Sequence, residues 1–245
     1  MIELIEYRKE KEGSCNKSIV LFHHAGGSAF FYSPWRAHID NDVDVYALQL
    51  KDRKQLLDIC SQDGFNAIVA EIGNAIRQTI DHEIVMFGHS MGGLLAYATA
   101  AYLQEQGDSP LVKKLFVSGI VAPKRVEFRN FRSLSESQIF EFLTAYDGIP
   151  AEILANQDIL DLILPNIVQD LFLIDEFCSV RNDLEPIKAP ITALMGNDDP
   201  MVEESSARMW EKHTESEFKL MDFDGGHFYL KNMIPKICDI LNEEF

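Results

Sequence analysis

Residues 84–104 read IVMFGHSMGGLLAYATAAYLQ, and this stretch decides the architecture. Ile84–Phe87 has the length and composition of a buried strand. From Met91 to Gln104 few residues are polar before the end, which predicts a helix against the centre of a sheet, stopped by Gly107 and Pro110. Between them stands Gly88-His89-Ser90-Met91-Gly92, a G-x-S-x-G on the turn from strand to helix. In that context the pattern predicts a nucleophile elbow. The tight turn presents the serine hydroxyl at a sheet end, and small flanking residues let the backbone pass close to its neighbours. Ser90 is therefore the candidate nucleophile, beside a helix N-terminus that favours negative charge.

Outward from the elbow, Ile19–Phe22, Val43–Leu48, Lys114–Val117, Ile191–Met195 and Phe218–Met221 read as further buried strands, with Ile2–Tyr7 as an edge strand. Amphipathic stretches alternate with them. Phe65–Ile80 places Phe65, Ile68, Val69, Ile72, Ala75 and Ile76 on one helical face. Ser33-Pro34 reads as the cap and first position of a short helix through Trp35 and Ile39, and a last helix spans Met233–Asn242 with Ile234, Ile237 and Leu241 inward. The alternation predicts an α/β fold: a mostly parallel sheet with helices on both faces. One region breaks it. Pro123–Pro186 carries helical patterns at Ser137–Ala145, Ala151–Gln157 and Ile159–Phe177, the last expected to end or kink at Pro165. Its apolar residues need something to cover, so residues 123–186 are expected to form a helical lid over one sheet end, within a single domain spanning residues 1–245.

A serine nucleophile needs a base, and elbow serines are followed in the chain by an acid and then a histidine. His23, His24, His38, His82 and His89 precede Ser90, and His213 lies in a charge-rich helical segment. His227 follows Gly225-Gly226 just beyond a strand, so it is the expected general base, against the plainer role of capping the final helix. The acid is expected after the preceding strand, where Gly196-Asn197-Asp198-Asp199-Pro200 offers two carboxylates. Gly196 would supply backbone freedom and Asp198 a turn contact, leaving Asp199 to orient His227; Asp198, then Asp222 and Asp224, are the alternatives. The oxyanion needs two amides, expected from Met91 and from Ala25 in the His23-His24-Ala25-Gly26-Gly27 loop, with His24 as a structural hydrogen-bonding residue.

Composition narrows the partners. The chain has 245 residues, 47% hydrophobic and 25% charged, enough for one core. Its formal charge of −17 opposes binding to nucleic acid or anionic membrane. No stretch reaches membrane-span length and the first twenty residues lack a signal-peptide core, so a cytoplasmic protein is expected. Separately, it is expected to be a monomer. Cys15, Cys60, Cys178 and Cys238 show no metal-ligand spacing. Neither a metal nor a cofactor is expected.

Together, HHAGGSAFFYSPW (23–35), VYALQLKDR (45–53), FGHSMGG (87–93), APITALMGNDDP (189–200) and FDGGHFYL (223–230) resemble the type II thioesterases of the α/β-hydrolase superfamily, which accompany nonribosomal peptide and polyketide synthases. The resemblance covers almost the whole chain. It implies Ser90, Asp199 and His227 as the triad and Ala25 and Met91 as oxyanion donors. It also implies a carrier protein bearing an acyl-phosphopantetheine arm as partner. Two departures stand out: His23 occupies a position often filled by proline, and Lys51-Asp52 replaces a more usual Pro-Gly, which could alter a loop at the entrance. Because such carriers are themselves often acidic, recognition calls for a basic or apolar patch, for which Lys124, Arg125, Arg129 and Arg132 are candidates. Leu162, Ile167, Phe172 and Ile174 are expected to line the acyl pocket. The alternatives are a medium-chain acyl-carrier thioesterase of fatty-acid synthesis, a general serine esterase or lipase, and a noncatalytic carrier-binding protein.

Overall fold

The computed structural model describes residues 2–7, 16–107 and 112–245. Among the described residues, seven strands, β1 (Ile2–Glu6), β2 (Ser18–Phe22), β3 (Asp44–Leu50), β4 (Ile84–His89), β5 (Val112–Ser118), β6 (Ile191–Gly196) and β7 (Phe218–Phe223), form one sheet in the order β1-β3-β2-β4-β5-β6-β7. β1 runs antiparallel along the edge against β3, and every other neighbouring pair is parallel. The helices are α1 (Arg53–Asp63), α2 (Phe65–Thr79), α3 (Met91–Gln106), α4 (Glu136–Ala145), α5 (Ala151–Leu154), α6 (Gln157–Val180), α7 (Glu204–Ala207) and α8 (Ile234–Asn242).

Side chains alternate across the sheet, and the two faces build two apolar clusters. Val20, Phe22, Ile84 and Met86 meet α1, α2, α3 and the C-terminal part of α6, whereas Ile19, Leu21, Val85 and Phe87 meet α8 and the 3-10 segment Ala29–Ala37. This is the α/β-hydrolase architecture, with a helical insertion between β5 and β6. From β2 the chain steps to β3 on one side and returns as β4 on the other. The C-terminal ends of β2 and β4 thus flank the crevice where open α/β sheets bind ligands.

Four local readings change. The 3-10 segment is preceded by Ser28, so Ser33 is internal and caps nothing; the Tyr32 and Trp35 rings, 5.0 Å apart, and the Trp35–Phe87 contact at 4.9 Å fix its register. Helix α1 had no counterpart among the sequence expectations. Asp52 caps it by accepting the Gln55 N–H at 2.9 Å, and Leu56, Leu57 and Cys60 are its buried side. Lys51 pairs with Glu3 at 2.5 Å, so the two departures at 51–52 act on the sheet edge and a helix start. Finally, α6 runs unbroken through Pro165. Before the proline, Ile159 and Leu162 are exposed; after it, Ile167, Asp170, Leu171, Leu173 and Phe177 are buried, and this packing holds the helix across the missing N–H. Elsewhere in the insertion Phe131, Ile139, Leu143, Ile149 and Leu160 gather with Ile167 and Leu171 into a cluster of their own. Gly107 ends α3 in the left-handed conformation. Pro110 and Cys15 lie outside the described residues. Cys60, Cys178 and Cys238 are free thiols, and among the described residues no helix is long and apolar enough to cross a membrane.

Candidate active site

Ser90 sits between β4 and α3 at φ 54° and ψ −125°, a strained conformation for a residue with a Cβ. Its N–H donates to the Ser118 carbonyl at 2.7 Å and its carbonyl accepts from Gly93 at 2.8 Å, so the neighbouring strand and the helix hold the strain. The elbow glycines are needed for space: a Cβ on Gly92 would lie 2.2 Å from the Phe22 carbonyl oxygen, and one on Gly88 would lie 2.1 Å from that of Gly92. Although Ser90 precedes α3, its side chain caps nothing, which leaves the hydroxyl free.

His227 is 2% exposed, and its Nδ1 lies 2.8 Å from Asp199 Oδ2. The other Asp199 oxygen accepts the Met201 N–H at 2.8 Å, so the carboxylate is held at both ends and fixes Nδ1 as the donor. Asp198, Asp222 and Asp224 are all exposed, and only Asp199 of the four reaches the ring. Gly196 works through close approach and not through unusual dihedrals: a Cβ there would meet the Gly225 and Gly226 carbonyl oxygens at 2.4 and 2.6 Å. Ser90, His227, Ala25 and His24 share one small pocket. Among the described residues, Ser90 Oγ makes no hydrogen bond with His227, a link that often tightens only with substrate bound.

The loop after β2 sorts its own amides. Gly27 donates to the His24 carbonyl at 2.9 Å and Gly26 to Asp170 Oδ2 at 2.7 Å, while Ala25 N–H and Met91 N–H have no acceptor among the described residues. Ala25 faces the pocket that holds Ser90.

Three further histidines lie in and behind the site, with His89 5.0 Å from the His227 ring and His24 in the same pocket. His23 donates from Nδ1 to the His24 carbonyl at 2.8 Å, and burial lowers its pKa to about 4. His24 packs edge-on between Phe31 and Phe228, at 4.6 and 5.0 Å, with its Nδ1 buried and unpartnered. Its expected hydrogen-bonding role is therefore replaced by aromatic packing. His89 bonds Ser118 Oγ at 2.9 Å, and that hydroxyl bonds Tyr229 OH at 2.7 Å. Burial, then repulsion from neighbouring histidines, holds His24 and His89 well below the ordinary histidine range. The same burial disfavours the charged form of both rings. His213 lies elsewhere, buried with Nδ1 3.1 Å from the Tyr97 hydroxyl.

A cavity of about 330 Å³ opens from Ser90 and is walled by Ile120, Val126, Phe131, Phe142, Leu171 and Ile174, among others. Of the four expected acyl contacts, only Ile174 lines it. Leu162 is 75% exposed on the surface half of α6; Ile167 is buried against Gly26; Phe172 lies beneath the Arg132 guanidinium at 4.8 Å. Helical geometry turns Phe172 away by about 100° from the face that Leu171 and Ile174 share, while Ile167, one turn earlier on that face, is taken up by Gly26. Of the basic candidates, Arg129 pairs with Glu127 at 2.9 Å and lies over Phe142, and Arg132 pairs with Glu176 at 3.3 Å. Lys124 and Arg125 are exposed and have no ion pair among the described residues, and Arg125 lines the cavity. Missed from sequence were Val126, Phe131, Phe142 and Leu171 in the wall, and Arg53 and Asp170 behind the loop.

A serine elbow at the switch point of a parallel sheet, followed along the chain by a buried carboxylate and a histidine bonded to it, defines an α/β-hydrolase. Residues 17–245 match the thioesterase domain, and the chain belongs to that family. Its likeness extends over nearly the whole length of BorB, the type II thioesterase from the borrelidin biosynthetic cluster: 30% identity, TM-score 0.82, covering 99% of this chain and 97% of that one. A probable cadicidin biosynthesis thioesterase of Streptomyces griseus is 30% identical over 220 residues, 89% of this chain and 60% of the relative. The AMB antimetabolite synthetase AmbE of Pseudomonas aeruginosa is 29% identical over 220 residues, again 89% of this chain but 10% of that protein. The chain thus spans less than two thirds of both curated relatives.

Proposed function

We propose that this chain hydrolyses acyl or aminoacyl thioesters on the phosphopantetheine arm of a carrier protein, clearing a nonribosomal peptide or polyketide synthase. The observation that carries the reading is the convergence on Ser90 of the His227–Asp199 pair, two uncommitted amides and a cavity with a largely apolar wall. His227 takes the hydroxyl proton as Ser90 Oγ attacks the thioester carbonyl, and the Ala25 and Met91 amides stabilise the oxyanion. Collapse expels the thiol, which takes its proton from His227 and leaves an acyl-Ser90 ester. Water, deprotonated by the same histidine, then releases the acid and restores the serine. The insertion, residues 123–186, forms the cavity wall and acts as the lid that admits the arm, and Lys124 and Arg125 supply positive charge at its start. Kinship with BorB, which comes from a biosynthetic cluster, supports an assembly-line setting.

The test is release from carrier proteins bearing several acyl groups, compared with the matching coenzyme A thioesters and simple esters. Carrier-bound substrates should be preferred, and Ser90→Ala should abolish both turnover and the acyl-enzyme while leaving the fold intact. Equal or faster cleavage of simple esters would point to a general esterase, and wild-type turnover by the Ser90→Ala protein would overturn the mechanism.

A further inference from the structure

Two buried charges that the chemistry above does not use lie directly behind the oxyanion loop. Asp170, on α6 of the insertion, is fully buried. Its Oδ2 accepts the Gly26 N–H at 2.7 Å, and both its oxygens lie 3.0 Å from Arg53 Nε. Arg53, at the start of α1 and 6% exposed, uses its other nitrogens on the backbone: Nη1 donates to the Leu50 carbonyl at 3.0 Å and Nη2 to the Gly27 carbonyl at 2.7 Å. The Gly26-Gly27 segment is thus held by an N–H on one side and a C=O on the other.

We propose that the Arg53–Asp170 pair is a positioning device for the oxyanion hole, through which the helical insertion holds the Ala25 amide in line with that of Met91. The proposal rests on the reading of those two amides as the oxyanion donors. The Ala25 N–H lies in the planar His24–Ala25 peptide, whose carbonyl accepts the Gly27 N–H at 2.9 Å, so holding Gly26 and Gly27 through the pair also holds the plane that carries the Ala25 amide. Helix α6 touches the loop a second time one turn earlier. Gly26 has φ +74°, and a Cβ there would lie 2.1 Å from Ile167 Cγ1, so the helix and loop meet without space for a side chain. Stability alone gives little reason to keep such a pair. Removing two charges from water offsets most of their attraction, and burial pushes the Asp170 carboxyl up to about 6 even with Arg53 beside it. What the pair adds is directional: one carboxylate and one guanidinium satisfy donors and acceptors from β3, α1, α6 and the loop at fixed angles.

The test compares the wild-type chain with Asp170→Ala and with Asp170→Asn, which keeps the side-chain volume should the alanine variant fail to fold. Acetyl-coenzyme A gives kcat and KM. A trifluoromethyl ketone thioether, whose adduct on Ser90 places an oxyanion in the hole, gives a Ki. Loss of alignment at one oxyanion donor should lower kcat about 100-fold in Asp170→Ala and at least about 10-fold in Asp170→Asn, leave KM within about threefold, and raise the ketone Ki in proportion. A residue that merely supports the fold would lower the unfolding midpoint without this kcat and Ki pattern. Folded variants that keep kcat within about threefold, or that lose kcat with an unchanged ketone Ki, overturn the proposal. A wild-type chain that forms no ketone adduct and turns over no thioester overturns the oxyanion reading itself, and the positioning role with it.

Discussion

Lowering the pH should unfold this protein through its buried neutral histidines. His23 and His213 each have a pKa lowered by burial from the ordinary 6.5 to about 4. Between those values the unfolded chain binds a proton that the folded chain excludes, so stability is full above pH 6.5 and is lost as the pH falls toward 4. By linkage each group costs about 2 kcal/mol at pH 5 relative to pH 8, and about 3 kcal/mol by pH 4. His24 and His89 act in the same direction. Asp170 acts oppositely: its carboxyl is raised to about 6, so the folded state takes up its proton first and gains about 1 kcal/mol at pH 5. Relief of repulsion within a chain of net charge −17 also favours the folded state as carboxylates protonate. A single pH curve therefore mixes signs, and a difference between variants isolates one group. His213 is the one to replace, because it lines no pocket with Ser90 and among the described residues its ring hydrogen-bonds only the Tyr97 hydroxyl, which Gln can satisfy. Urea unfolding of wild type and His213→Gln at pH 8, 7, 6 and 5 can be followed by tryptophan fluorescence, since Trp35 and Trp210 are both buried. The variant should lose about 2 kcal/mol less than wild type between pH 8 and pH 5. Parallel curves across that range would show that His213 titrates in the folded state, refuting the reasoning from its burial.

Two further outcomes concern the site. Asp199→Asn should lower turnover about 10⁴-fold with the fold intact, as loss of a triad acid does, whereas the exposed Asp198→Asn should stay within a few-fold of wild type; steady-state kinetics of the purified pair decides, and the reverse ranking would move the role to Asp198. Ile174→Trp should reduce turnover of an octanoyl thioester at least about tenfold more than that of an acetyl thioester, because it fills the cavity, while Leu162→Trp on the outer surface should leave the ratio unchanged; equal ratios for the two variants would remove the acyl chain from this cavity.

The sheet was legible because its strands β2, β4 and β6 are buried on both faces. Seven short apolar runs are hard to read any other way, and the elbow supplied their centre. The helices were less evenly written. Helix α2 shows a continuous apolar face, while α1 offers Leu56, Leu57 and Cys60 among charged neighbours and was not read from the sequence. At the site, Ser90, His227 and Asp199 were placed by chain order and loop position, and the structure brings the last two into contact. The wall of the cavity was not legible in the same way, since it depends on which side of α6 faces inward. A list of apolar residues cannot settle that, because the helix is apolar on more than one side. One signal was present and unread: Asp170 shares a face with Ile167, Leu171 and Ile174, and a carboxylate on a buried face requires a partner. Arg53, 117 positions away, could be matched to it only by the fold.

The position of Pro165 explains how one insertion can serve two ends. Before it, α6 and the short α5 leave Leu154, Ile159 and Leu162 on the surface. After it, the same helix buries Leu173 and Phe177 in the sheet-side core, lays Ile167 and Asp170 on the oxyanion loop, and turns Leu171 and Ile174 to the cavity. Proline removes one backbone hydrogen bond and so weakens the helix where these environments meet. The segment of α6 before Pro165 contributes nothing to the wall of the cavity that opens from Ser90, whereas the segment after it contributes Leu171 and Ile174 and holds the Gly26 amide. Under the proposed lid role, anchoring the second half of the insertion beside Arg53 would let its first half move while the Gly26 amide stays in place.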